Sequence, residues 1–171
     1  MSSACTIRRA RLDELPRLTE IEIDAFATLA AALGVAHEAH ALAREVLRGS
    51  LNAGLLLVAA DEGDQPVGFL AAEEVDDALY IIELDVCREW QRKGVGRQLI
   101  SAAIALARTR QLSSLTLTTD RHVPFNAPFY ASLGFVLPGS EAMPQFLRKK
   151  LEHEVSVGMD AERRAAMVLT L

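Results

Sequence analysis

The sequence predicts a mixed α/β fold with a mostly antiparallel sheet flanked by helices, and three observations lead there. Three apolar runs, Leu55–Ala60, Pro66–Val75 and Ala78–Val86, are separated by the turn segments Asp61-Glu62-Gly63-Asp64 and Asp76-Asp77, which reads as a three-stranded meander. The period then changes: Val95, Leu99, Ile100, Ala103, Ile104 and Ala107 form one helical stripe between Gly94 and Arg110. A threonine-rich run, Leu115–Thr119, follows, so a strand, helix, strand crossover sits in the middle of the sheet.

The other elements follow from local signals. Thr6–Ala10 fits a short first strand. Asp13 suits an N-cap for a helix with Leu15, Leu18, Ile21, Ile23, Phe26 and Leu29 at roughly helical spacing, ended by Gly34. A second helix is expected from His37 to Arg48, closed by Gly49. Asn126–Leu133 reads as a short helix closed by Gly134, and Phe135–Leu137 starts another strand. In the tail, Phe146, Leu147, Leu151 and Val155 place a helix over Pro144–Val155, and Arg164–Leu171 is the last strand. No repeat, low-complexity tract or linker is visible, so residues 1–171 are expected to form one domain.

Bulk properties exclude several classes. Half of the 171 residues are hydrophobic, enough for a sizeable core. The formal net charge of -5 argues against a nucleic-acid partner, which needs a concentrated basic surface, and sits comfortably with a cationic substrate. Cys5 and Cys87 match no zinc or redox spacing, and a reducing cytoplasm is the expected setting. Met1–Ala10 lacks the apolar run of a signal peptide, and apolar stretches such as Phe26–Val35 stop short of membrane-spanning length, so no membrane partner is expected.

The chemistry is concentrated where the strand Leu79–Val86 passes through a polar loop, Cys87–Arg92, into a helix that opens Lys93-Gly94-Val95-Gly96-Arg97. A helix start offers free N–H groups and a positive dipole end, and glycines there let an anion approach the backbone. A P-loop would need Gly-Lys-Ser/Thr, but Arg97-Gln98 follows Gly96. A dinucleotide fingerprint needs a third small residue where Leu99 stands, and glycines closer to the strand. Gln91-Arg92-Lys93-Gly94-Val95-Gly96 instead matches in full the Gln/Arg-x-x-Gly-x-Gly/Ala motif of the GNAT family of N-acetyltransferases, which the middle third of the chain resembles closely and the whole chain resembles in element order. A plain tight turn and helix start is the bland alternative for the glycines.

This resemblance implies a GNAT-type sheet whose two central strands splay apart after Val86, with the cofactor core at about 78–137 and acetyl-CoA as co-substrate. It implies that Gln91, Arg92, Lys93, Gly94, Val95, Gly96 and Arg97 form the pyrophosphate loop, and that Val86 and Cys87 pair their backbone with the pantetheine arm like an added strand. The family often has proline two residues beyond the strand's final valine, where this chain has Arg88. Asn126, in Asn126-Ala127-Pro128-Phe129-Tyr130, matches an asparagine that commonly hydrogen-bonds the cofactor, although it also suits an ordinary N-cap. Tyr130 matches a tyrosine that commonly protonates the leaving thiolate, the other reading being a core aromatic.

Glu83 is the candidate general base, because an amine must lose its proton before it attacks a thioester. Glu83 and Asp85 share one face of their strand, and two acids in an apolar strand are costly unless used or paired; a salt bridge to a nearby arginine is the alternative. His122 could border the acceptor, though a loop histidine usually faces solvent, and His37 and His40 have no third ligand in reach, so no metal is expected. Arg148, Lys149 and Lys150 read as a solvated helix face. The expected function is direct acetyl transfer to a primary amine, with a small-molecule acceptor favoured. A protein or peptide acetyltransferase and a non-catalytic acyl-CoA sensor are the alternatives. The tail beyond Ser140 suggests a homodimer.

Overall fold

The computed structural model describes residues 4–34 and 41–171. In chain order it contains β1 (Thr6–Arg9), α1 (Leu15–Leu33), α2 (Arg44–Asn52), β2 (Leu56–Ala60), β3 (Pro66–Val75), β4 (Ala78–Val86), α3 (Val95–Thr109), β5 (Ser114–Asp120), α4 (Ala127–Ser132), α5 (Gln145–Ser156) and β6 (Arg164–Thr170). The six strands form one sheet in the order β1-β2-β3-β4-β5-β6. Pairing is antiparallel for β1 with β2, β2 with β3 and β5 with β6, and parallel for β4 with β5. The parallel pair is the crossover expected from the switch of period, with α3 as its helix. Among the described residues, no helix is long and apolar enough to cross a membrane.

The chain divides into two compact units. The first comprises residues up to Glu73 with Ile81–Leu106. Its core is built from Leu15, Leu18 and Ile21 of α1, Leu47 of α2, Val58 and Phe69 of the sheet, and Leu99 and Ile100 of α3. Every residue of β2 is buried, so both faces of that strand are covered. Gly68 marks a close approach: a Cβ there would lie 3.0 Å from the Asp85 carbonyl oxygen, 3.2 Å from Val86 Cγ2 and 3.3 Å from Val95 Cγ1. The second unit comprises Glu74–Tyr80 and Ala107–Leu171, with Leu79, Leu115, Leu117, Phe135, Leu147 and Met167 buried.

Several boundaries differ from expectation. Asp13 does not cap α1: Leu12–Glu14 form a 3-10 turn and Glu14 is the residue before the helix, whose first turn contains Pro16. His37 and His40, and the start of the helix expected from His37, lie outside the described residues. Gly49 lies inside α2 and does not close it, because Leu47 and Ser50 on either side are buried; Gly54, at φ 71°, takes the left-handed conformation beyond the helix end. Phe135–Leu137 yields an isolated bridge, Val136 with Val168, in place of a strand.

Candidate functional site

In the first unit, β4 leads into the motif loop. Arg88–Trp90 form one 3-10 turn, and Arg92 (φ 61°) and Gly94 (φ 84°) then take left-handed backbone to turn the chain into α3. The Gly94 carbonyl accepts the Gln98 N–H at 3.1 Å. The N–H groups of Val95, Gly96 and Arg97 therefore have no acceptor within their own helix. Gly96 is half-buried, and Arg92, Lys93 and Arg97 are exposed. Three cationic side chains beside a helix start are suited to hold an anion such as a pyrophosphate.

The rest of the loop is braced by its own residues, by α1 and by β3. Gln91 Nε2 donates to the Val86 carbonyl at 2.9 Å, and its Oε1 accepts from Thr28 Oγ1 of α1 at 3.0 Å. The Cys87 N–H and its thiol both donate to the Val67 carbonyl, at 3.0 and 2.9 Å, and the Cys87 carbonyl accepts the Trp90 N–H at 2.8 Å. Burial pushes the Cys87 thiol up. Asp24 of α1 accepts both the Arg88 N–H at 2.7 Å and Arg88 Nε at 2.9 Å. That backbone hydrogen bond, with the guanidinium beside it, holds the Asp24 carboxyl below its ordinary range.

Glu83 and Asp85 share a face of β4, and Glu22 of α1 joins them: one carboxylate oxygen from each lies within 4.8 Å of the other two. Glu22 is 8% exposed, and both its oxygens accept the Leu42 N–H at 2.9 Å. Burial raises the Glu22 carboxyl against that hydrogen bond. Asp85 Oδ2 is buried with no hydrogen-bond partner. Burial, then the charges of Glu83 and Glu22 and a hydrogen bond with Glu83, push the Asp85 carboxyl well above its ordinary range. Asp85 is thus driven toward the protonated form. The sequence had paired Glu83 with Asp85 by alternation but missed Glu22. The available signal was an acid among Leu18, Ile21 and Ala25, all buried on the same side of α1.

In the second unit, Asp120 closes β5 and fixes the loop that leads to α4. Its Oδ1 accepts the N–H groups of His122 and Val123 at 2.8 and 2.9 Å, and its carboxylate takes Arg163 Nε at 2.8 Å and Nη2 at 3.2 Å. These bonds outweigh burial and hold the Asp120 carboxyl below its ordinary range. The Val123 carbonyl then accepts the Asn126 N–H, and the Asn126 carbonyl accepts the Tyr130 N–H. Asn126 precedes α4, yet its side chain makes no capping hydrogen bond. Tyr130 is buried at 9% exposure, its ring edge-on to Phe129 and Phe135 at 5.2 and 5.6 Å. The His122 side chain is exposed. Asp120 was also missed in the sequence.

A concavity of this unit, about 370 Å³, is lined by Tyr80, Lys149, Lys150, His153 and Glu154. Lys150 is not simply solvated: its Nζ sits 4.0 Å from the Tyr80 ring centroid, a cation–π contact.

The sequence model described as the Acetyltransferase (GNAT) family matches residues 15–135. The fold is similar to N-acetylglutamate synthase from Neisseria gonorrhoeae, a structure complexed with coenzyme A and N-acetyl-glutamate, at 20% identity and a TM-score of 0.72 over 98% of this chain and 35% of that one. It is similar to PaiA N-acetyltransferase from Thermoplasma acidophilum in complex with coenzyme A, at 17% identity and a TM-score of 0.71 over 98% of this chain and 99% of that one. It is also similar to Ard1 from Thermoplasma volcanium, at 19% identity and a TM-score of 0.70 over 98% of each chain. The chain therefore spans 35% of the synthase and nearly all of the other two.

Proposed function

Because the chain belongs to the acetyltransferase (GNAT) family, we propose that it moves an acetyl group from acetyl-CoA directly to a primary amine, with a small-molecule amine as acceptor. The observation that carries this reading is the complete Gln91–Gly96 motif at the start of α3, where three N–H groups lack helical acceptors and three cationic side chains are exposed. In this reading Arg92, Lys93, Gly94, Val95, Gly96 and Arg97 hold the coenzyme A pyrophosphate. Gln91 keeps their loop in shape through Val86 and Thr28. Val86 offers its backbone to the pantetheine arm, with its carbonyl shared with Gln91 Nε2. Cys87 offers less, since its N–H and carbonyl already have partners. Asn126, whose side chain caps no helix, is the candidate side chain for a hydrogen bond to the cofactor.

Acetyl-CoA supplies an acyl carbon activated as a thioester. Glu83 accepts the proton that the amine nitrogen loses, directly or through water. A C–N bond forms as the C–S bond breaks, and the Tyr130 hydroxyl gives its proton to the departing sulfur. An acetyl-cysteine route through Cys87 is disfavoured, because a thiol whose pKa is raised by burial supplies little thiolate. No metal has a role in this scheme. A cytoplasmic homodimer completes the proposal, supported by exposed Val136, Val157 and Met159 in the second unit; a monomer mass by light scattering would remove it.

The test is release of free thiol from acetyl-CoA across a panel of amines and peptides, paired with calorimetry of coenzyme A binding to Gly96→Asp. We expect release with small amines and at least a tenfold loss of coenzyme A affinity in the variant, since the carboxylate would occupy the phosphate position. Faster release with peptides would favour a protein acetyltransferase, and coenzyme A binding with no release would favour a sensor. Unchanged affinity in folded Gly96→Asp would overturn the loop assignment.

A further inference from the structure

The acceptor's chemical class follows from the three carboxyl groups beside the motif loop, given the acetyl-transfer reading above. Glu22 comes from α1, while Glu83 and Asp85 stand on the last turns of the β4 pleat before Val86. Their nearest oxygens lie within 4.8 Å of one another. Three acceptors placed about 2.8 Å from a tetrahedral nitrogen lie roughly 4.6 Å apart, so oxygens gathered this closely are within reach of a single ammonium group and its three N–H donors. A divalent ion wants more oxygens than these three, all deprotonated. Here Asp85 is driven toward the protonated form. Independently of the cluster's charge, Asp85 Oδ2 is shut off from solvent with no donor, and a buried acceptor left so is costly until a donor arrives.

We infer that Glu22, Glu83 and Asp85 form the receptor for the acceptor's cationic head and select a primary amine with no carboxylate beside it. The acceptor binds as an ammonium. Glu83 then takes one of its protons, leaving a neutral amine and a protonated Glu83 carboxyl. An α-amino acid brings its own carboxylate one carbon from the nitrogen, against the charges of Glu22 and Glu83, and is rejected. Glu22 is a specificity-determining residue, since its charge acts on the acceptor and takes no part in the bond exchange.

The experiment is calorimetry on coenzyme A-saturated protein with matched pairs: alanine, leucine and phenylalanine, each against its amide, plus 1,5-diaminopentane. Each bound amide should exceed its acid by about tenfold or more in affinity. Glu22→Gln, which keeps an acceptor for the Leu42 N–H, should weaken the tightest amine about tenfold, and Glu22→Asp should recover part of the loss. The proposal fails if no amine binds more tightly than its acid counterpart. It also fails if folded Glu22→Gln keeps wild-type affinity, or if Mg²⁺ or Mn²⁺ alone binds and displaces the amine. The paired comparison in the wild-type protein needs no variant, so a misfolded Glu22→Gln would not protect the idea. Thiol release is read separately: amine selection without release would sink the transfer reaction and leave this receptor standing.

Discussion

Replacing Gly68 by alanine tests how closely β3, β4 and the start of α3 approach. The added Cβ would meet the Asp85 carbonyl oxygen at 3.0 Å and methyl groups of Val86 and Val95 at 3.2 and 3.3 Å. The methyl groups can turn away by a few tenths of an ångström, but the carbonyl is strand backbone and cannot. Overpacking of this kind costs about 1–3 kcal/mol. Alanine returns roughly 0.5–1 kcal/mol of that, because glycine in a strand is itself unfavourable. The net expectation is a loss of about 1–2 kcal/mol, or a fall in Tm of roughly 3–6 °C for a chain of this size. Val86 and Val95 flank the motif loop, so coenzyme A affinity should fall as well. Urea denaturation followed by circular dichroism, with calorimetry on the same samples, measures both. A Gly68→Ala protein with wild-type midpoint and wild-type affinity would show that the backbone at Asp85 yields freely, and the argument from close approach would be wrong.

Three further outcomes are expected. Tyr130→Phe keeps the ring against Phe129 and Phe135 and removes the hydroxyl, so kcat should fall at least tenfold with little change in coenzyme A affinity; equal turnover would return Tyr130 to a packing role. Glu83→Gln should lose most activity near pH 7 and regain part of it at higher pH, where more of the amine is already neutral; a wild-type pH–rate profile would take Glu83 out of the mechanism. Asp85 has a folded pKa raised above the unfolded value, so between the two the native chain binds more protons and stability falls as pH rises. Asp85→Asn should reduce that decline, Glu22 accounting for the part that stays, and be the more stable protein at neutral pH. A wild-type stability profile that is flat upward from the ordinary aspartate pKa would contradict the assignment.

What could be read in advance was whatever depends on local rules. The meander, the α3 stripe, the crossover and the motif loop all rest on periodicity and glycine placement within a few residues, and each is found where it was expected. The errors have a common cause. Gly49 was taken for a stop, but burial of Leu47 and Ser50 carries α2 past it. Phe135–Leu137 has strand composition, yet Val136 and Leu137 remain exposed and only a bridge forms. Glu22 and Asp120 escaped notice because their partners are far along the chain: Glu22 meets Glu83 and Asp85, and Asp120 meets Arg163. Alternation could put Glu83 and Asp85 on one face; no pattern along one strand could say that an acid from a helix some sixty residues earlier would meet them.

Arg88 stands where the family resemblance leads one to expect proline, and what replaces the ring changes the character of the loop. A proline fixes backbone covalently, indifferent to pH or salt. In this chain the same stretch is held by an anion: Asp24 takes both the backbone N–H and the guanidinium of Arg88. A clamp of that kind loosens as acid neutralises the carboxylate, and salt weakens its exposed guanidinium half. It is also anchored on α1, two residues along from Glu22. The helix that carries one wall of the acidic cluster therefore grips the loop proposed to hold the coenzyme. A shift of α1 on taking up an amine would be felt directly in the loop, as communication between two ligands that a proline in that place would have left silent.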